Sequence, residues 1–339
     1  MKVAVITAPG EVELREEPSS EPAADALQIA VEACGLCTME RRLFSGDKKI
    51  YPVAAGHEIA GRVVAVGRDV RDLGGAPQVG DLVIADLLTR CGACSACRRG
   101  RSAMCKRPQG STLSDGTMTM GAGLAERVTV PARQAYAVGD IPVTQAAMGE
   151  PLACVAHSVR MGGLRAGDRV AVVGAGYMGR LHLAVARLVG AESVGVVDIS
   201  EQRLFEAREA GASWTATPDD AQAHAHGSDV VFVTAGAPGA LQMALSLADV
   251  AGTVVLYGAF PKSHTEAVSP DDIHHHENSV AGVFSQEPED WRTAAGWLRS
   301  GRLGPELEAL VTARFGLQGV AEALALAASS PVYRVLVGG

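Results

Sequence analysis

Cysteine spacing narrows what this chain can become more than any other feature. Four of its seven cysteines fall within fifteen positions, as Cys91-x2-Cys94-x2-Cys97-x7-Cys105. Four thiolates so spaced can close a tetrahedron around Zn2+ and leave no position for water, which defines a structural site. Three cysteines at short intervals and a fourth farther on can also hold an iron–sulfur cluster. Cys34, Cys37 and Cys154 lie apart, and an odd, clustered set reads as metal ligation in a reducing compartment rather than as a disulfide framework, so a cytoplasmic protein is expected. The first apolar run meets Glu11 and Glu13, too short for a secretory segment, and no window is apolar enough for a membrane span. The basic run Arg98, Arg99, Arg101, Lys106 and Arg107 reads as a solvated loop that offsets the charge of a zinc tetrathiolate.

At 339 residues the chain is long enough for two cores. With 47% hydrophobic and 20% charged residues it is globular rather than disordered, and a net charge of -8 excludes nucleic acid or an anionic membrane as the main partner. Up to about residue 147 the pattern is short apolar or alternating runs broken by Gly and Pro: KVAVITA, LQIAVEAC, EIAGRVVAVG, GDLVIAD, AERVTVPA. These predict the strands of an irregular β-rich domain. From Arg169 to Tyr257 the period changes, and RVAVVGA, SVGVVDI, DVVFVTA and GTVVLYG alternate with helical stretches over 177–190, 200–211 and 239–250. Such alternation implies βαβ units, a parallel sheet and an α/β fold. Ser200 is a candidate N-cap, and Gly190 and Gly211 candidate C-caps. Helical segments over 287–301 and 317–329 and a strand in VYRVLVG follow.

Gly174-x-Gly176-x-x-Gly179 follows one of these strands and opens a helix, with Asp198 at the end of the next strand. In that context the glycines permit a tight turn and close approach of a pyrophosphate, which the helix N-terminus receives. Tyr177 and Met178 lie within the motif. Asp198 would accept hydrogen bonds from the adenosine ribose and repel a 2'-phosphate, which favours NAD over NADP. Arg203 is a candidate for the adenine side or for plain surface charge. Thr234, Ala235 and Gly236, and Tyr257, Gly258 and Ala259, end later strands, where ligands bind; Ala235 and Gly258 are therefore cofactor candidates.

A third constellation is Gly56-His57-Glu58 with Cys37 upstream. The run GHEIAGRVVAVGRDV resembles the signature of zinc-containing alcohol dehydrogenases of the medium-chain dehydrogenase/reductase superfamily, and the order of cysteine, GHE, four-cysteine lobe, GxGxxG and acidic residue is the family's over essentially the whole chain. The resemblance implies a GroES-like catalytic domain over 1–149 and 287–339, with the zinc lobe at 90–106, and a Rossmann domain over 150–286. It also implies an active site between them, two zincs per chain, NAD, a small-molecule alcohol or ketone as the partner, and a homodimer or homotetramer paired along SVAGVFS. The catalytic zinc would take Cys37 and His57. For the rest of its shell Glu150 and Glu58 resemble the polyol and sugar dehydrogenase branch, while Cys154 falls where the ethanol-type branch has a ligand; the carboxylates are favoured. Zinc would acidify the alcohol and the nicotinamide would take the hydride.

One departure concerns the proton. Where the family has a Ser or Thr two residues after the ligand cysteine, this chain has Met39, and a thioether relays no proton. Thr38, Glu58, Glu150 or water must replace it, or the reaction needs no relay, as in reduction of an iminium or an activated double bond. A non-catalytic NAD-binding protein is the remaining alternative. Of the weaker candidates, His274, His275 and His276 are too close in sequence to face one ion from a strand. His182 and His157 read as structural histidines, Arg334 as a pyrophosphate contact or a surface ion pair, and Cys34 as core.

Overall fold

Apolar runs broken by Gly and Pro become two sheets in the first part of the chain, and strict strand–helix alternation becomes one parallel sheet in the second. The computed structural model describes residues 1–19, 21–70, 74–108, 110–329 and 332–339. It divides into one unit of Met1–Ala153 with Gln286–Gly339 and another of Cys154–Ser285. The division falls inside the helix Gly149–Gly162, so residues 150–153 go with the first unit and Cys154 opens the second.

In the first unit, the strands Val311–Phe315, Arg334–Val337, Ala26–Gly35, Glu58–Val66, Leu82–Ala85 and Ala135–Ala137 lie side by side in that order, with Arg127–Pro131 paired to Ala26–Gly35. Long-range register matters here: Gly35 pairs with Glu58 on one side and with Leu336 on the other. A smaller sheet joins Glu11–Glu16, Lys2–Ala8, Val53–Ala54 and Met118–Thr119. The core between them is aliphatic, with Ile6, Leu27, Ile29, Leu43, Ile59 and Leu124 at 1% exposure or less.

In the second unit all strand pairings are parallel and the order is Trp214–Ala216, Ser193–Val197, Arg169–Val173, Ser228–Val233, Ala248–Leu256, Ser279–Gly282. The sequence order reverses beside the first strand, which is the doubly wound Rossmann arrangement, and ligands bind at such a reversal. Near-continuous runs of buried Val are what a sheet covered on both faces requires. Ser200 caps its helix through a bond from the Arg203 amide, and Gly190 ends the helix Tyr177–Val189 in the left-handed conformation. Two boundaries differ from expectation. The helix read over 239–250 is Ala240–Leu247, because Ala248 already pairs with Ser228 in the sheet ladder. The helix before Gly211 is capped by Ala210, with Gly211 following at φ 89°. Among the described residues no helix is long and apolar enough to cross a membrane.

Candidate active site and cofactor-binding residues

Cys37 stands where the strand Ala26–Gly35 gives way to the helix Thr38–Ser45, and its side chain is that helix's N-cap. The Met39 amide donates to Cys37 Sγ at 3.0 Å, while Glu40 closes the box by accepting from the Cys37 amide at 3.0 Å. The same Glu40 carboxylate accepts from the Gly56 amide and lies 3.1 Å from His57 Nδ1. His57 Nε2 faces Cys37 Sγ, 3.4 Å away. Burial alone would raise the Glu40 carboxyl, but His57 and the donated bonds hold it at about 2.

Glu58 follows on the first residue of its strand, 2% exposed. A Cβ at Gly35, its cross-strand partner, would lie 2.2 Å from Glu58 Oε2 and force that carboxylate to move. Arg334 pairs with Glu58 Oε1 at 3.2 Å and donates to the Leu36 carbonyl at 2.6 Å. Arg334 is 6% exposed, so its ion pair is buried rather than on the surface. Glu58 Oε2 is buried and, among the described residues, has no hydrogen-bond partner. Donor atoms of His57, Glu58 and Glu150 lie within 4.8 Å of one another, as do those of Cys37, Glu40 and His57. Cys154 joins no such cluster among the described residues.

Acidic groups are crowded together here. Burial, then Glu40, push the Cys37 thiol up to about 11, and burial, opposed by Arg334 and reinforced by Glu150, pushes Glu58 up to about 7. A divalent cation inverts both effects and deprotonates a coordinating thiol outright. Thiol, imidazole and carboxylate are a suitable donor set for zinc with a position left open. Thr38 is exposed at the first residue of its helix, and Met39 Sδ receives the Lys48 ammonium at 3.1 Å.

The four-cysteine lobe contains two short 3-10 turns, Cys97–Arg99 and Ser102–Met104. Its sulfurs are 3.5 Å (Cys91 and Cys105), 3.6 Å (Cys94 and Cys97) and 4.0 Å (Cys91 and Cys97) apart. Tetrahedral Zn–S bonds of about 2.3 Å set sulfur edges of roughly 3.8 Å, so one ion fits; a cluster with several irons would spread the thiolates farther. Backbone N–H groups of Cys97 and Lys106 draw the Cys94 thiol down to about 6, while burial and the neighbouring thiols push Cys97 up to about 12. The five basic side chains of the lobe are exposed.

In the second unit Gly174, Asp198, Arg203 and Ala235 line a cavity of about 570 Å3 with Ile199, Pro218 and Pro238. Gly176 caps the helix on which Tyr177, Met178 and Gly179 form the first turn. A Cβ at Gly179 would meet the Gly174 carbonyl at 1.8 Å, and Gly258 packs against the Thr234 backbone. Asp198 accepts from the Ala175 amide at 2.7 Å and from the Ser200 amide at 2.9 Å, which fixes its carboxylate at the mouth of the turn.

His274 and His275 end a short helix, Pro270–His275, ahead of the strand Ser279–Gly282; their rings meet edge to face at 5.2 Å, and His276 stacks on His226 at 5.2 Å. His182 and His157 are buried and hydrogen-bonded, His182 to the Met178 carbonyl and to Ser158. Sequence reasoning missed Glu40 as the residue that orients His57. Its signal was present as a Cys-x-x-Glu capping box, hidden because Cys is an uncommon cap.

Two family models match: alcohol dehydrogenase GroES-like domain over residues 23–140, and zinc-binding dehydrogenase over 178–300. An L-threonine 3-dehydrogenase from Bacillus licheniformis is 30% identical over 93% of this chain and 92% of its own length. A putative zinc-binding dehydrogenase from Sinorhizobium meliloti, solved bound to NADP, is 32% identical over 100% of this chain and 99% of that one, with a TM-score of 0.88. Galactitol-1-phosphate dehydrogenase from Escherichia coli is 25% identical with full coverage of both chains and a TM-score of 0.85. The chain belongs to the zinc-containing alcohol dehydrogenase family of the medium-chain dehydrogenase/reductase superfamily, on its polyol and sugar side. It is an oxidoreductase of the alcohol dehydrogenase type that uses zinc and a nicotinamide cofactor.

Proposed function

We propose that the chain exchanges hydride between NAD and a secondary alcohol of polyol, sugar or cyclitol type, with one zinc held by Cys37, His57 and the carboxylates of Glu58 and Glu150, and a second in the four-cysteine lobe. The observation that carries this reading is that His57 groups with the Cys37 thiol in one cluster and with the Glu58 and Glu150 carboxylates in another, with buried Glu58 Oε2 unpartnered. Zinc there supplies Lewis acidity to the alcohol oxygen, and the nicotinamide carries the hydride.

The chain's own residues do the rest. Glu40 fixes the tautomer and direction of His57 and, through the Cys37 amide, the direction of the thiolate. Arg334 balances one oxygen of Glu58 and leaves the other to hold a ligand or a proton. With Met39 at the usual hydroxyl position, Glu58 and Glu150 are the groups through which the substrate proton leaves. The polyol-type substrate is supported by this carboxylate-rich pocket, by an aromatic content of only 4%, and by the galactitol-1-phosphate relative. NAD is supported by Asp198, whose fixed carboxylate repels a 2'-phosphate.

Metal analysis and initial rates over polyols, amino-cyclitols, sugars and simple secondary alcohols, with NAD and with NADP, test the proposal. Two zincs per chain, polyol-type turnover and at least tenfold preference for NAD are expected, with Asp198→Ala narrowing that preference. A preference for NADP, the cofactor in the Sinorhizobium structure, overturns the role given to Asp198. One zinc per chain, lost with Cys91 and indifferent to Cys37→Ala, overturns catalysis in favour of an NAD-binding protein. A single observation, Met39 at the relay position, favours a second reading, reduction of an iminium or activated double bond; turnover of those compounds alone would establish it.

A further inference from the structure

The first unit is built from two stretches of chain, and the second begins at Gln286. Gln286 and Glu287 are 1% and 4% exposed, which is unusual for a connection and for a carboxylate. Both are held by the four-cysteine lobe. Arg90, the residue before Cys91, donates to the Gln286 carbonyl at 3.2 Å while pairing closely with Asp86. Ser102 Oγ donates to Glu287 Oε2 in a short contact, and the Ala103 amide donates to Glu287 Oε1 at 2.7 Å. Glu287 is also the N-cap of the helix Pro288–Arg299, whose Asp290 returns the bond to the Glu287 amide at 2.8 Å. That helix stacks Trp291 on Tyr136 of the strand Ala135–Ala137.

All three lobe donors thus lie within three residues of a cysteine of the quartet. Between those cysteines the lobe has only two short 3-10 turns, so closing the thiolates about an ion is what gives its backbone a fixed shape. A buried carboxylate stripped of its donors is strongly unfavourable. We propose that the lobe is a metal-set latch on the returning chain: metal in the lobe presents Arg90, Ser102 and Ala103 to Gln286 and Glu287, and Glu287, a positioning residue, stabilises the metal-bound lobe in return. The inference rests on the lobe holding a metal.

Coupling of this kind is reciprocal, so each side must move the other by a similar factor. In the holoenzyme, Glu287→Ala is expected to release lobe metal to EDTA about tenfold faster or more, leave release of the other metal unchanged, and speed amide exchange at 98–104 and 286–291. Glu287→Gln, which keeps an acceptor for Ala103, restores part of the effect; Glu322→Ala, removing an exposed carboxylate elsewhere, has none. Cys105→Ser, loaded at the remaining site, should raise exchange at 286–291 by a comparable factor without altering 58–66. If Glu287→Ala does not fold, Ser102→Ala, which removes one bond from the lobe side, is expected to give a smaller effect in the same direction. A wild-type lobe that binds no metal overturns the reading of the lobe and the latch with it. A metal-loaded lobe whose release rate ignores Glu287 and Ser102 overturns the latch alone.

Discussion

Lowering the pH toward 4 should loosen the nucleotide-binding unit through one residue, His182. Its ring is fully buried on the helix after the glycine turn, bonded at Nδ1 to the Met178 carbonyl and at Nε2 to Ser158, and packed against Phe232 and Tyr257. Burial is the dominant effect and holds the imidazole at about 4, against 6.5 for a free histidine. The folded state therefore keeps His182 neutral where the unfolded chain protonates it. Stability contributed by the neutral ring is complete above about 6.5 and is lost as pH falls from there toward 4. A difference of that size is worth about 3 kcal/mol at its limit. His182→Gln keeps a donor and an acceptor but cannot titrate. It should be less stable than wild type at pH 7, and the gap should shrink steadily as pH falls to 4.5. Amide exchange in the strands Arg169–Val173 and Ser228–Val233, corrected for its intrinsic pH dependence, gives the opening free energy of this unit in both proteins. Parallel curves for the two would refute the account, because every other titrating group is common to both.

Other outcomes follow from the site. Glu40→Gln puts an amide N–H2 where only an acceptor fits and should weaken metal binding beside His57 by about 10- to 100-fold while the lobe keeps its ion; metal counts after dialysis against chelator read this directly. Met39→Ser should raise alcohol turnover and shift its pH profile, and an unchanged profile would show that no hydroxyl is missing. Gly179→Ala drives a methyl into the Gly174 carbonyl and should lower the melting temperature and weaken cofactor binding together, as differential scanning fluorimetry with and without NAD would report.

What could be read from the sequence was whatever is local in the chain. The glycine turn, the cysteine quartet and the parallel strands depend on residues a few positions apart, and the period of Val in RVAVVGA or SVGVVDI marks a sheet buried on both faces. The electrostatic frame of the zinc pocket was less legible. Glu40 acts over a helical turn but through an unusual cap, and Arg334 reaches Glu58 only because strands far apart in the chain share a sheet with Gly35 between them. Nothing in the composition of either segment announces that register. The histidine run, read as lead-in to the strand of SVAGVFS, does precede it, but on a short helix, Pro270–His275, that its local composition did not announce.

The placement of Arg334 has a consequence for how the protein is made. Cys37, His57 and Glu58 precede the nucleotide-binding unit in the chain, but the cation that balances Glu58 lies after the whole of it, on the strand Arg334–Val337. That unit is continuous in sequence and can fold as soon as it has emerged, whereas the zinc pocket lacks the Arg334 cation until after that unit has been made. A nascent or truncated chain lacking Arg334–Val337 would expose a thiol, an imidazole and unbalanced carboxylates together, a set that binds adventitious metal readily. In this fold, order of synthesis places the completion of the metal pocket after the completion of the cofactor's.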